Sequence, residues 1–285
     1  MSAADLPHTD SSEDTFDLHL DPAEYQTLID MAVEEDHARE DITAAALVPD
    51  DVVIVADVVA KQNGVVSGLP LVPHIFQRLD PRCEIETEYE DGDRIGSKSR
   101  LLTVRGPARA VLGGERIALN FLGHLSGIAT LTAAYVEHPM ATGVQVHDTR
   151  KTTPGWRALE KYAVRCGGGH NHRLHLEDAA MIKENHLKAA YGHTGPEAIG
   201  KAVRACLENL PEGKRLYVEV ETQEEVVAAA EAGATVLMLD DFELGDLRRA
   251  VKYIRGLPAP RPLIEITGGV RLETCLLYTS DAADD

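Results

Sequence analysis

The spacing of apolar residues changes partway along this chain. Early on, Leu28, Ile29, Ala32 and Val33 share one helical face behind Asp21-Pro22, a cap followed by proline at the first helical position. That spacing predicts a helix ending near Asp36. Residues 52–60, β-branched and interrupted only by Asp57, read as a buried strand. Residues 64–68 read as a turn, 71–79 as a short helix, Asp91-Gly92 as a turn and 101–105 as a strand. A helical stretch from Ala108 to about Val136 follows, broken by Gly113-Gly114, Gly123 and Gly127. Together these elements predict an α+β domain over residues 17–138, a normal domain size.

Beyond Pro139 short apolar strands alternate with amphipathic helices. Strands are expected at 143–146, 179–182, 216–220, 235–239 and 262–266, and helices at 156–164, 196–207, 223–232 and 244–254. Such alternation implies a parallel sheet with helical crossovers. Each strand is followed by polar groups: Asp148-Thr149-Arg150-Lys151, then Lys183, then Glu219 and Glu221, then Asp240-Asp241, then Thr267-Gly268-Gly269. In a β/α barrel the C-terminal strand ends converge on one mouth, where chemistry resides. An open doubly wound sheet would call for a Gly-rich dinucleotide loop after its first strand, and the chain has none.

Charge sharpens this picture. The 285 residues carry a formal net charge of −19, which disfavours nucleic acid as a partner. From 150 to 188, however, eight Lys/Arg stand against four Asp/Glu, so this segment is +4 and the remainder −23. A basic island in an acidic chain focuses positive potential on an anionic ligand, against the plainer reading of a solvated face. No segment reads as long and apolar enough to cross a membrane. Residues 1–16, acidic and polar, read as a disordered leader and not a secretory signal. Cys83, Cys166, Cys206 and Cys275 are widely spaced without a C-x-x-C pair, which fits reduced thiols and a cytoplasmic location.

The expected mouth thus gathers Arg116, Arg150, Lys151, His172, Arg173 and Lys183 opposite the carboxylates Glu219 and Asp240. Guanidinium forks suit bidentate contacts to carboxylates, and lysines suit point contacts to phosphate. The two acids suit Mg²⁺ held through water, or contacts to sugar hydroxyls. For any one residue a surface ion pair is the default; the group together favours a site for a dicarboxylate and a polyphosphate-bearing sugar. His170, His172 and His175 have no zinc-ligand spacing, so one pocket-lining histidine is the better reading. Gly167-Gly168-Gly169 reads equally as a phosphate nest or a flexible turn.

Longer motifs are more specific. DTRKTTPGW at 148–156, LEKYAVRCGGGHNHRL at 159–174 and MIKENH at 181–186 closely resemble the quinolinate phosphoribosyltransferase family. So do EED at 34–36, DIT at 41–43, GVVSG at 64–68, ERIALNFLGHLSGIAT at 115–130, VEVE at 218–221, LMLD at 237–240 and EITGG at 265–269. The resemblance implies an α/β fold in which an N-terminal α/β sandwich adjoins an incomplete, open β/α barrel (residues 139–274), the type II phosphoribosyltransferase arrangement. It implies transfer of a phosphoribosyl group to quinolinate with decarboxylation, Mg²⁺ as cofactor, and a homodimer, or a higher oligomer built on it, with shared active sites. Within the matching motifs, Arg116 corresponds to an arginine sent across the dimer interface. Arg150, His172, Arg173 and Lys183 correspond to the quinolinate set, with Thr149 beside them, and Lys151 to a lysine near the phosphoribosyl donor. Glu219 and Asp240 correspond to the carboxylates at ribose and metal, and Thr267, Gly268 and Gly269 to the 5′-phosphate loop. Lys151, Lys183, Glu219 and Asp240 form the implied catalytic set.

Three departures stand out. Asp241 replaces a common asparagine, and Thr267 replaces serine but keeps the hydroxyl. Residues 275–285 read as a non-family tail, which implies a C-terminally truncated barrel and a form nearly inactive with the donor. The alternatives are a related pyridine phosphoribosyltransferase, including the molybdenum-operon relatives, and a non-catalytic binding remnant. Retention of Arg150, His172 and Arg173 opposes the first, and intact Glu219 and Asp240 oppose the second.

Overall fold

The computed structural model describes residues 18–138 and 143–272, so the expected leader (1–16) and tail (275–285) lie outside the described residues. The chain divides into two compact units, residues 1–136 with 146–171 and residues 137–145 with 172–285. By packing, residues 146–171 group with the first unit, although they follow the sequence-based boundary at 138/139. They join the first unit because Leu159, Tyr162, Ala163 and Cys166 are buried in its core.

In the first unit, Asp21 Oδ1 accepts from Ala23 N (2.9 Å) and caps a single 3₁₀ turn, Pro22–Glu24. Helix α1 (Gln26–Glu35) follows and buries Ile29 and Val33. Asp41 caps the short helix α2 (Ile42–Leu47) by accepting from the Thr43 and Ala44 N–H groups. Strand β1 (Val53–Val59) pairs antiparallel with β5 (Arg100–Pro107), which also pairs with β3 (Glu84–Thr87). The expectation of a buried β1 is corrected: its residues alternate, and Val53 and Val55 are exposed. An antiparallel strand needs only one covered face. The expected turn at 64–68 contains a strand, β2 (Gly64–Val65), paired with β4 (Arg94–Ile95). Helix α3 is Leu71–Leu79.

Helix α4 (Ala108–Val136) runs unbroken for 29 residues, contrary to the expected breaks at its glycines. Two of them exist for close packing. A Cβ on Gly113 would sit 2.3 Å from the Ala38 carbonyl oxygen, and one on Gly114 would sit 2.7 Å from the Phe76 ring. By length and composition alone α4 could cross a membrane, which corrects the sequence reading. Its apolar face, including Phe121, Leu122 and Leu125, is buried in the first core, so it is a core helix. Helix α5 (Arg157–Cys166) completes the unit. Gly167, Gly168 and Gly169 end it: their N–H groups are bonded to the Ala163, Arg165 and Val164 carbonyls, which decides for a turn over a phosphate nest.

The second unit is a parallel sheet in the order β6 (Ala180–Ile182), β7 (Leu216–Val220), β8 (Val236–Asp240), β9 (Leu263–Thr267). Helices α6 (Glu184–Tyr191), α7 (Pro196–Asn209), α8 (Gln223–Glu231) and α9 (Leu244–Arg255) connect the strands; α6 was not foreseen. Its N-terminus is capped through Lys183 N–H donating to His186 Nδ1 (3.1 Å). The expected strand at 143–146 is not formed among the described residues. Only a single parallel bridge, His147 to His170, occurs there, and it belongs to the first unit. Four strands, not five, make up the described parallel sheet.

Candidate active site

Strand alternation places the candidate residues of the second unit. Ile182, Val218, Val220, Leu237 and Leu239 point into the helix-covered core of the second unit, with Ile264 and Ile266 packed on it. The opposite face must then carry Met181, Tyr217, Glu219, Met238, Asp240, Glu265 and Thr267. The parallel register sets Glu219 beside Met238 and Met238 beside Glu265, and pairs Asp240 with Thr267 further on. Lys183, directly after β6, forms an ion pair with Glu219. Thr267 Oγ1 donates to Asp240 Oδ1 (2.6 Å).

His172 lies over the same face, its ring tilted against Tyr217 at 4.5 Å. Its Nδ1 accepts the Arg173 N–H (2.7 Å), and its Nε2 is 3.5 Å from Glu265. The Arg173 guanidinium donates to the Ala179 carbonyl (3.0 Å) and to Met181 Sδ (3.2 Å). Arg173 is therefore held at the start of β6 and not at the C-terminal strand ends where it was expected. The strand-end carboxylates also act on one another. Burial, then Glu225, Glu184, Asp240 and Glu219, push the Glu221 carboxyl above its ordinary range. Negative charge concentrated there favours a cation.

The loop after β9 depends on glycine. Gly268 (φ +75°) and Gly269 (φ +59°) are left-handed, and a Cβ on Gly268 would lie 2.4 Å from Asp241 Oδ1. Asp241 itself has φ +53°, and its N–H donates to the Thr267 carbonyl (3.1 Å). A left-handed residue after Asp240 explains why asparagine suits this position.

The first unit holds the other implied residues. Arg116 is exposed on α4. Thr149 Oγ1 accepts from Lys151 N (3.1 Å), and Lys151 is exposed. Arg150 is half-buried, and its Nε–H is buried with no acceptor among the described residues. A buried guanidinium donor left in this state costs free energy unless an anionic ligand accepts from it.

Sequence reasoning missed three residues that this geometry brings forward. Glu265 sits two residues before Thr267, so alternation alone would have put it on the same face. Glu160 and Lys161 are buried charges on α5 that reach back to the DTRKT segment. Only the fold reveals those contacts.

Models of the C-terminal and N-terminal domains of quinolinate phosphoribosyl transferase match residues 128–284 and 41–126. The first match takes in all but the last residue of the segment set apart at 275–285. A nicotinate-nucleotide pyrophosphorylase (carboxylating) of Mycobacterium leprae is 40% identical over 246 residues, 86% of this chain and 84% of that protein. A probable enzyme of the same name from Synechocystis is 42% identical over 226 residues, 79% of this chain and 74% of that protein. The crystal structure of NadC from Streptococcus pyogenes superposes with a TM-score of 0.82 at 39% identity, covering 92% of this chain and 89% of that one. On these matches, together with the motifs and the site geometry, the chain belongs to the quinolinate phosphoribosyltransferase family.

Proposed function

We propose that this chain transfers the phosphoribosyl group of phosphoribosyl pyrophosphate to quinolinate with decarboxylation. The products are nicotinate mononucleotide, pyrophosphate and CO₂, a step of NAD biosynthesis. The observation that carries this reading is the face of the parallel sheet opposite its helices. The Lys183–Glu219 ion pair and His172 share that face, Asp240 and the Thr267-Gly268-Gly269 loop lie at the strand ends, and Arg173 is held at the start of β6. Cations for a dicarboxylate, acids for a sugar and a glycine loop for a phosphate are the groups this reaction needs.

Arg150, His172, Arg173 and Lys183 bind the quinolinate carboxylates, with Thr149 alongside, and Arg116 serves from the neighbouring subunit of a homodimer. Lys151 meets the donor. Attack by the pyridine nitrogen on the anomeric carbon breaks the bond to pyrophosphate. Glu219 and Asp240 stabilise the positive character that develops on the sugar. The pyridinium ring then accepts the electron pair of the breaking bond to the 2-carboxylate, and a proton replaces CO₂ at that carbon. Arginines fixed against both carboxylates contribute orientation. Glu219 and Asp240 would hold Mg²⁺ together with the substrate phosphates, since one or two carboxylates plus phosphate are what this ion commonly takes. When bound it neutralises charge on the departing pyrophosphate. The free, widely spaced cysteines suit a cytoplasmic enzyme.

The test is turnover of quinolinate labelled in its 2-carboxylate, with phosphoribosyl pyrophosphate and Mg²⁺. Labelled CO₂ and nicotinate mononucleotide are expected. Turnover of nicotinate in place of quinolinate, with no CO₂, would reassign the substrate.

A further inference from the structure

Two buried charges remain outside the reaction just described. Glu160 and Lys161, adjacent on α5, are 9% and 2% exposed. Lys161 forms an ion pair with Asp148, and both side chains are almost fully removed from water. Asp148 Oδ2 also accepts from Asn171 Nδ2 (2.6 Å), which donates as well to the Lys161 carbonyl (2.9 Å). Glu160 Oε2 accepts the Thr153 N–H (3.1 Å), and its Oε1 meets His124 Nε2 (3.0 Å). Burial raises the affinity of Glu160 for a proton, but the Thr153 and His124 bonds outweigh it and hold the carboxyl below its ordinary range. One turn earlier, Arg157 Nε donates to Thr152 Oγ1 (3.1 Å).

These contacts bracket one short segment. Asp148 is its first residue and Thr153 its last, and between them lie Thr149, Arg150, Lys151 and Thr152. We infer that Glu160 and Lys161 are positioning residues: they clamp the two ends of this segment to α5 and thereby set where Arg150 and Lys151 present their charges. The inference rests on the reading that Arg150 and Lys151 meet the substrates. Fixing a loop's backbone on binding would otherwise carry an entropic cost, and a segment tied at both ends has met that part of it beforehand. A buried ion pair is a poor source of stability, so its use here is better explained by the geometry it enforces.

The test compares Lys161→Met with the double variant Lys161→Met/Asp148→Asn, in the full chain. The single variant strands a buried carboxylate. The double variant removes both charges and should melt cooperatively close to wild type. If the pair positions the segment, the double variant still loses at least tenfold in kcat/KM. Its amide hydrogen exchange at 148–153 should rise at least tenfold, with α3 and α4 unchanged. Glu160→Gln should raise exchange at 152–153 alone. Should the double variant regain both stability and wild-type kcat/KM, the pair is a fold element only and the inference fails. Unchanged exchange at 148–153 would overturn it equally. Because exchange is read without substrate, a chain that protects this segment yet turns over no quinolinate would refute the proposed reaction and leave the clamp standing.

Discussion

Two of the lysines that pair with acids, Lys161 in the first unit and Lys183 in the second, solve opposite problems. The Lys161 and Asp148 side chains are 3% and 8% exposed, and Asn171 completes the bonding of the carboxylate. The Lys183 side chain is 41% exposed and Glu219 17%, on a sheet face that faces away from its own core. A pair enclosed by protein holds one arrangement, because every alternative leaves a bare charge in a low-dielectric interior. A pair open to water exchanges partners at little cost, and a cation with that freedom can leave its acid for a substrate anion. One pair is suited to placing a segment and the other to meeting a ligand.

Removing each lysine should break this comparison most directly. Lys161→Ala leaves Asp148 buried without its cation and should destabilise the fold by about 3–5 kcal/mol. Lys183→Ala should cost no more than about 1 kcal/mol in stability. Urea unfolding followed by circular dichroism measures both, and equal losses would erase the distinction. Next in size is ligand binding. Arg150→Ala and Arg173→Ala should each weaken quinolinate binding by about 2–5 kcal/mol in calorimetry, and weaken donor binding less. Parallel losses for both substrates would make these arginines part of the scaffold.

A smaller effect tests the buried side of the comparison by pH. Asp91 accepts from the Gly68 and Leu69 N–H groups and from Tyr162 O–H, yet burial pushes its carboxyl above the ordinary range. The folded state thus holds the proton more tightly than the unfolded chain. The associated stability is fully present below the unfolded value of about 4 and is lost as pH rises through the folded one. Asp91→Asn should remove that slope from the melting temperature between pH 4 and neutrality. It should also cost about 1–3 kcal/mol overall, since an amide cannot accept all three bonds. A slope unchanged in the variant would place the titration elsewhere. The smallest effect concerns the glycines of α4. A Cβ on Gly123 would meet no atom of the described residues within 4 Å, so Gly123→Ala should stabilise by about 0.5–1 kcal/mol. Gly113→Ala, blocked by the Ala38 carbonyl, should destabilise by about 1–3 kcal/mol, and thermal melts compare the two.

Much of the chain's organisation was legible in residue spacing. The helix at 71–79, the strand at 216–220 and the crossover helices needed only period and caps, because a helix or strand with one apolar face has few other ways to cover it. The strand-end pattern likewise located Lys183, Glu219, Asp240 and the Thr267-Gly268-Gly269 loop, since register follows from alternation. Spacing misjudged β1 because apolar content was taken for two-sided burial, and α4 because glycine was read as a breaker where it serves close contact.

Local pattern and motif, then, were enough to determine the family, the parallel second half and the placing of Glu219, Asp240 and Thr267 on one face of its sheet. Tertiary structure alone decided that 146–171 joins the first unit, that His172 rests on Tyr217 near Glu265, and that Glu160 and Lys161 hold the Arg150–Lys151 segment. Periodicity reports which side of an element meets apolar neighbours. It carries no record of which distant polar group satisfies a buried charge, because that choice is made only when separate elements pack together.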